Sequence, residues 1–371
     1  MREKDFRFTV QETAGALGDY GTLLPIVIAV AVATDMDLAR MLFFFGIAYI
    51  ATGIYYKMPM PVEPMKAIGV IAIAERLSAA EIAGAGIGMG IILLLIAVTG
   101  TMNLIKKAVP IPLIRGIQLG LGLTLMEQAF RMMWRDPYLG VFAFLIIMAF
   151  TLTFLSRLDI SALVVFLLGI GVGIFRFGPV PVSLMTVPTV ALPGLTDFFR
   201  GFIVATLPQI PLTLGNAVLA TSLLAVDLLN RQVKEKQLLL SMSAMCLFSV
   251  PLGGFPMCHG AGGLAAQYRF GARTGGSNII SGAVLLLIAI FFGTPHLETV
   301  IPFGALGALL FYSGMELLRT AQKTEDKIFT AVAGVLAYAL GMVWAFVIVW
   351  LFHLGKTRFR PTISGNGSEG N

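Results

Sequence analysis

Lys66 follows Glu63 by three residues in the stretch PMPVEPMKAIG (59–69), which lies within strongly apolar sequence. Pro59 and Pro61 hold the chain extended. Pro64 predicts the start of a helix, because proline is tolerated at the first helical position, where its missing N–H is not needed. Glu63 then falls at the N-cap and Lys66 in the first turn. A cation beside the open N–H groups of a helix N-terminus favours an anion. A charge at the start of a half-helix inside a bilayer is costly and marks a substrate or ion pathway. The competing reading is a structural lysine that pairs with Glu63 or snorkels to the interface. Glu63 itself reads either as that charge partner or as a group that takes up a proton and couples transport.

A second polar break, GGFPMCHGAGGLAAQYRFG (253–271), has the same character. Gly260, Gly262 and Gly263 leave backbone N–H groups open to close approach, as in an oxyanion-binding nest. Small residues also let membrane helices pack tightly, which needs no ligand. His259 is a candidate donor to an oxyanion and a candidate proton carrier. In TLPQIPLTLGNAVLAT (206–221), Gln209, Thr213 and Asn216 are polar groups within hydrocarbon, read either as site ligands or as interhelical hydrogen bonds. Gly18, Asp19, Gly21 and Thr22 form a similar break near the N-terminus. Asp19 reads as a residue that orders local backbone, with proton coupling or substrate contact as the alternative. Arg115, Gln118, Glu127 and Gln128 are read as interface or gate contacts.

The elements that must position these residues are membrane helices. Of 371 residues, 57% are hydrophobic and 12% charged, and the mean hydropathy is +0.88, which no soluble class matches. Repeated apolar runs of spanning length make this an all-α polytopic membrane protein, without the ten-residue alternation of a β-barrel. Apolar runs predict about fourteen spans, among them 18–34, 63–76, 199–227 and 258–270, with 328–354 divided into two short spans at Gly341. Lysines and arginines set the orientation. With the N-terminus inside, the outer segments hold only Arg40, Arg76, Arg131, Arg135, Arg176 and Arg200, so both termini are expected in the cytoplasm. The charged start MREKDFRF does not read as a removable signal peptide. Cys246 and Cys258 are expected as free thiols. No GxxxxGK[ST], HExxH or strand-linked GxGxxG is present. No enzyme, cofactor, metal or nucleic-acid partner is therefore expected.

An internal repeat is visible. GTLLPIVIA (21–29) aligns with LTLGNAVLA (212–220), and MPVEPMKA (60–67) with FPMCHGAG (255–262), Pro61 over Pro256. Seven spans precede the second copy, and an odd number inverts its topology. Two broken segments at corresponding positions of inverted halves point to a transporter's midplane site.

Five stretches, LGDYGTLLP (17–25), PMPVEPMKAIG (59–69), RGIQLGLGL (115–123), LPQIPLTLGNAVLAT (207–221) and PMCHGAGGLAAQYRFGARTGG (256–276), resemble the molybdate/sulfate transporter family related to SulP permeases. Glu63 departs from that family's PVQPMK motif. The resemblance implies a uracil-permease-like fold of seven plus seven inverted spans with core and gate domains. The core would comprise 1–106 and 199–294, the gate 107–177 and 295–355. A connector (178–198) and a cytoplasmic tail (356–371) without fold complete the chain, with no STAS domain, as in the molybdate branch. The oxyanion would sit between two half-helix N-termini, with Pro64, Met65 and Lys66 on one side and Cys258, His259 and Gly260 on the other. The implied function is secondary active import of molybdate, with sulfate second, across the cell (inner) membrane. H⁺ is the expected coupling ion, through Glu63, His259 or Asp19. A bicarbonate or nucleobase carrier on the same fold, or an anion channel, are the rivals. A homodimer is left open.

Overall fold

The structure, a computed structural model, describes residues 5–358 except 109, 153–159, 180, 183, 189, 191 and 293–301. The first half of the chain runs α1 (Val10–Gly18), α2 (Tyr20–Ala33), α3 (Leu38–Tyr56), β1 (Glu63–Pro64), α4 (Lys66–Glu75), α5 (Ala79–Thr99), α6 (Met102–Ala108), α7 (Ile111–Arg135), α8 (Pro137–Leu152) and α9 (Ser161–Phe177). A continuous helix α10 (Leu195–Leu229) opens the second half. It is followed by α11 (Glu235–Ser249), β2 (Met257–Cys258), α12 (Ala261–Arg269), α13 (Gly275–Phe292), α14 (Phe303–Ala321), α15 (Lys327–Ala339) and α16 (Met342–Arg358).

Packing between the halves is reciprocal. Helix α3 lies on α13 as α11 lies on α5; α8 lies on α14 as α15 lies on α7; α1 lies on α9 as α10 lies on α16. Exchanging the halves maps each contact onto its counterpart, as an internal repeat requires. The two-residue strands β1 and β2 pair antiparallel, Glu63 opposite Cys258 and Pro64 opposite Met257. The N-caps of the helices that follow, Met65 and Gly260, are separated by the same number of residues as Pro61 and Pro256.

Helices α3, α5, α10 and α13 are each long and apolar enough to cross a membrane, and α1 with α2 passes as a pair bent by 42°. Among the described residues, that test of length and composition yields four or five spans and not the expected fourteen. Part of the shortfall lies in the architecture: α4 has ten residues and α12 nine, which at 1.5 Å per residue reach about halfway across a ~30 Å hydrocarbon layer. Helices α8, α9, α15 and Trp344–His353 are apolar but short. The expected division at Gly341 is present: its φ of +86° separates α15 from α16. Helix α6 straddles the expected boundary between core and gate at 106/107. The expected boundary at 294/295 and nearly all of the tail lie outside the described residues.

Helix α10 carries two wide-turned (π-helical) stretches, Phe202–Thr206 and Thr213–Ala220, on either side of Pro208 and Pro211. Proline removes backbone donors, and local widening re-satisfies the freed carbonyls inside the membrane. The connector after α9 contains no helix among its described residues before Leu195 and is held on the surface, where Met185 N–H donates to the Ile290 carbonyl at 3.1 Å.

Candidate oxyanion site at the crossing strands

The approach to β1 is clamped from α13. The side-chain oxygen of Asn278 accepts the Met60 N–H at 3.1 Å, while its Nδ2 donates to the Met60 carbonyl at 2.5 Å and to Thr52 Oγ1 at 3.1 Å. Met65 N–H then donates to the Pro256 carbonyl at 2.9 Å. Helix α4 therefore begins at Lys66 with Met65 as N-cap. This corrects two expectations: Pro64 is not the first helical residue and Glu63 is not the N-cap. The residue before a proline is pushed to extended backbone, and pairing with β2 holds both residues in a strand for which the sequence offered no partner.

The start of α4 is not bare. Gln209 reaches across from α10, and its side-chain oxygen accepts the N–H groups of Ala67 at 2.9 Å and Ile68 at 3.4 Å. Its Nε2 donates to Thr213 Oγ1 at 2.9 Å. Gln209 thus caps α4 from another helix, and Thr213 supports it from within α10. Asn216 Oδ1, further along α10, and Thr22 Oγ1 of α2 are buried and unpartnered among the described residues.

Glu63 is turned towards the other half-helix. Its side chain is fully buried, and Oε2 lies 2.5 Å from Lys66 Nζ, which keeps 14% of its side-chain surface accessible. The carboxylate abuts the N-terminus of α12: a methyl group added to Gly263 would lie 2.5 Å from Glu63 Oε1, and one added to Gly260 would collide with the same carboxylate. Only glycine leaves room there. A helix N-terminus stabilises negative charge, so an internal carboxylate occupies the position where an anion was expected.

Asp19 stands at the break between α1 and α2, fully buried. Its carbonyl accepts the N–H groups of Thr22 and Leu23, but its side chain does not cap α2. The carboxylate instead receives the Tyr49 hydroxyl at Oδ2 and presents Oδ1 to the same point beside Gly263 that Glu63 Oε1 faces. Local backbone ordering is therefore not the work of this side chain.

His259 has both ring nitrogens engaged within the protein. Nδ1–H donates to the Pro61 carbonyl at 2.7 Å, and Nε2 meets the Ser241 hydroxyl at 2.8 Å. Ser241 continues to Tyr56 OH at 2.7 Å. The His259 carbonyl accepts the Thr221 hydroxyl at 2.8 Å. The ring fastens the segment before β1 to α11. Cys258 Sγ is buried 4.0 Å from the Pro64 carbonyl. Arg115 joins α7 to α10 through Asp227 at 2.5 Å and also donates to Gln118 of its own helix at 3.1 Å, an interface contact, whereas Glu127 pairs with Arg131 on the exposed side of α7. Tyr49, Ser241, Tyr56 and Asn278 were not singled out in the sequence. Tyr49 is a lone hydroxyl in apolar surroundings, whereas Tyr56, Ser241 and Asn278 stand near other polar residues and give no local signal.

The family model described as "Molybdate transporter of MFS superfamily" matches residues 11–125 and 201–317, one segment in each half and each containing one half-helix. The chain belongs to this family. It is 32% identical to Molybdate transporter 2 of Arabidopsis thaliana over 376 residues, covering 85% of this chain and 80% of that protein. To Molybdate transporter 1 of the same plant it is 30% identical, with 95% and 91% covered. Among solved structures, the transmembrane domain of the cyanobacterium bicarbonate transporter BicA superposes with a TM-score of 0.58 at 17% identity, covering 93% of this chain and 97% of that one. The murine anion transporter Slc26a9 in its inward-facing state gives a TM-score of 0.61 at 12% identity, covering 97% and 69%. At these identities the likeness is one of fold. In this molybdate transporter family member, the half-helices that meet at their N-termini accordingly belong to an architecture shared with BicA and Slc26a9.

Proposed function

We propose that the protein imports a tetrahedral oxyanion, molybdate foremost with sulfate as a competitor, by secondary active transport across the cell membrane, with both termini cytoplasmic. The observation that carries this reading is Lys66 at the first position of α4, facing the N-terminus of α12 across the β1–β2 pair. Lysine charge and helix-end N–H groups together replace the hydration of an anion. Lys66 is the accessible member of its ion pair, so an oxyanion displaces Glu63 from it. Helices of the core (1–106 and 199–294) move as a body against those of the gate (107–177 and 295–355), exposing the site alternately to either side. An anion entering against an inside-negative potential needs a coupling ion, and H⁺ fits a site built from carboxylates.

The test is molybdate uptake into vesicles holding the purified protein, with an imposed inward proton gradient. Uptake that sulfate inhibits, that the gradient stimulates and that falls at least tenfold in Lys66→Ala supports the reading. Uptake of bicarbonate or uracil in place of molybdate would keep the fold and replace the substrate. Single-channel currents would replace the carrier by a channel.

A further inference from the structure

Asp19 and Glu63 come from two different elements, the break before α2 and the strand β1, and both are fully buried. Each has one oxygen engaged: Asp19 Oδ2 by the Tyr49 hydroxyl, Glu63 Oε2 by Lys66 Nζ. The remaining oxygens, Asp19 Oδ1 and Glu63 Oε1, have no hydrogen-bond partner among the described residues. These two oxygens converge, 2.6 and 2.5 Å from the point where a Gly263 methyl group would stand. Two ionised carboxylates so placed in a water-poor interior repel strongly. A single proton converts the repulsion into an O–H···O bond and satisfies both unpartnered oxygens at once.

We propose that Asp19 and Glu63 form a carboxyl pair that holds one proton between them, and that protonation of this pair, not of His259, is the step that accompanies anion binding. The proposal rests on the reading of Lys66 as the anion-binding cation and deepens it. The groups facing the pair are few: Tyr49 from α3, Lys66 from α4, the Cys258 thiol from β2 and the N–H groups that open α12. Tyr20 of α2 is turned to the Ser281 carbonyl at 2.9 Å, and His259 is tied to Pro61 and Ser241. With one shared proton, two carboxylates and one lysine are neutral as a set. A dianion that takes Lys66 from Glu63 upsets that neutrality, and a further proton from solvent, forming an O–H bond on the released Glu63 carboxylate, moves it back. Proton and anion are thereby bound together without any redox step.

The experiment is calorimetric titration of the purified full-length protein with molybdate in buffers of different ionisation enthalpy, which counts protons taken up per anion. Wild type takes up protons on binding, and its affinity falls at least tenfold from mildly acidic to mildly alkaline pH. Glu63→Gln, which lacks the carboxylate that receives the further proton, binds without proton uptake and with affinity indifferent to pH, whereas Asp19→Asn, which imitates the pair with its shared proton in place, still takes up a proton on Glu63 when the anion binds. Proton uptake that persists in Glu63→Gln, or that vanishes only in His259→Gln, overturns the proposal. If no oxyanion binds even to wild type, the function reading fails while the pair stays testable. Infrared difference spectra on pH titration then decide: a protonated-carboxyl band lost in both Asp19→Asn and Glu63→Gln supports it, and a band untouched by either overturns it.

Discussion

Gln209 caps α4 from the far half of the molecule, its side-chain oxygen accepting the Ala67 N–H at 2.9 Å. Half of the proposed anion site is therefore built on a helix whose end is held by α10 and not by its own sequence. Gln209→Ala leaves the buried Ile68 N–H, the half-buried Ala67 N–H and Thr213 without their partner, which costs about 1–3 kcal/mol. Chemical unfolding in detergent should register that loss. Gln209→Glu keeps an acceptor for the helix end but adds a negative charge beside the anion, and its molybdate affinity should fall at least as far as that of the alanine variant.

Lys66 and Glu63 test each other. Lys66→Met strands a carboxylate that is wholly buried, and breaking a buried pair on one side costs about 3–5 kcal/mol. Adding Glu63→Gln removes the stranded charge, so the double variant should regain most of the melting temperature while uptake remains lost. A double variant no more stable than Lys66→Met would mean that the pair contributes little.

The neighbouring glycines of α12 make a contrast. A methyl at Gly263 meets Glu63 Oε1 at 2.5 Å, Asp19 Oδ1 at 2.6 Å and Pro61 Cβ at 2.6 Å, whereas one at Gly262 meets Leu125 Cδ1 at 3.1 Å, the end of a flexible side chain. Gly263→Ala should abolish uptake and lower the melting temperature, although alanine is the better helix former. Gly262→Ala should retain most of the uptake rate.

Arg115 and Asp227 tie α7 to α10 at 2.5 Å. A double-mutant cycle with Arg115→Gln and Asp227→Asn should give a coupling of about 1–3 kcal/mol in stability, as for residues in direct contact. Each single change should also alter the uptake rate, since α7 and α10 fall on opposite sides of the proposed moving boundary.

Much of this site was legible because its parts are outliers. Lys66 and Glu63 among apolar residues, four prolines near two breaks, and Gln209 with Asn216 inside a spanning run all stand against a uniform background. The repeat was legible too, and the matching N-caps Met65 and Gly260 bear out its register. What local sequence could not supply was the pairing of β1 with β2, which moved the start of α4 from Pro64 to Lys66. Nor could it show that His259 spends both nitrogens on Pro61 and Ser241, or that Asp19 turns away from its own helix to meet Glu63. Each of these depends on a neighbour supplied by another part of the chain, and periodicity carries no information about such neighbours.

The short ladder between β1 and β2 also has a mechanical consequence. Cross-linked by backbone bonds and by Met65 N–H to Pro256, the two half-helices form one carriage whose tips cannot be drawn apart without breaking buried hydrogen bonds. A sliding surface between the proposed core and gate must therefore run around this carriage and not through it.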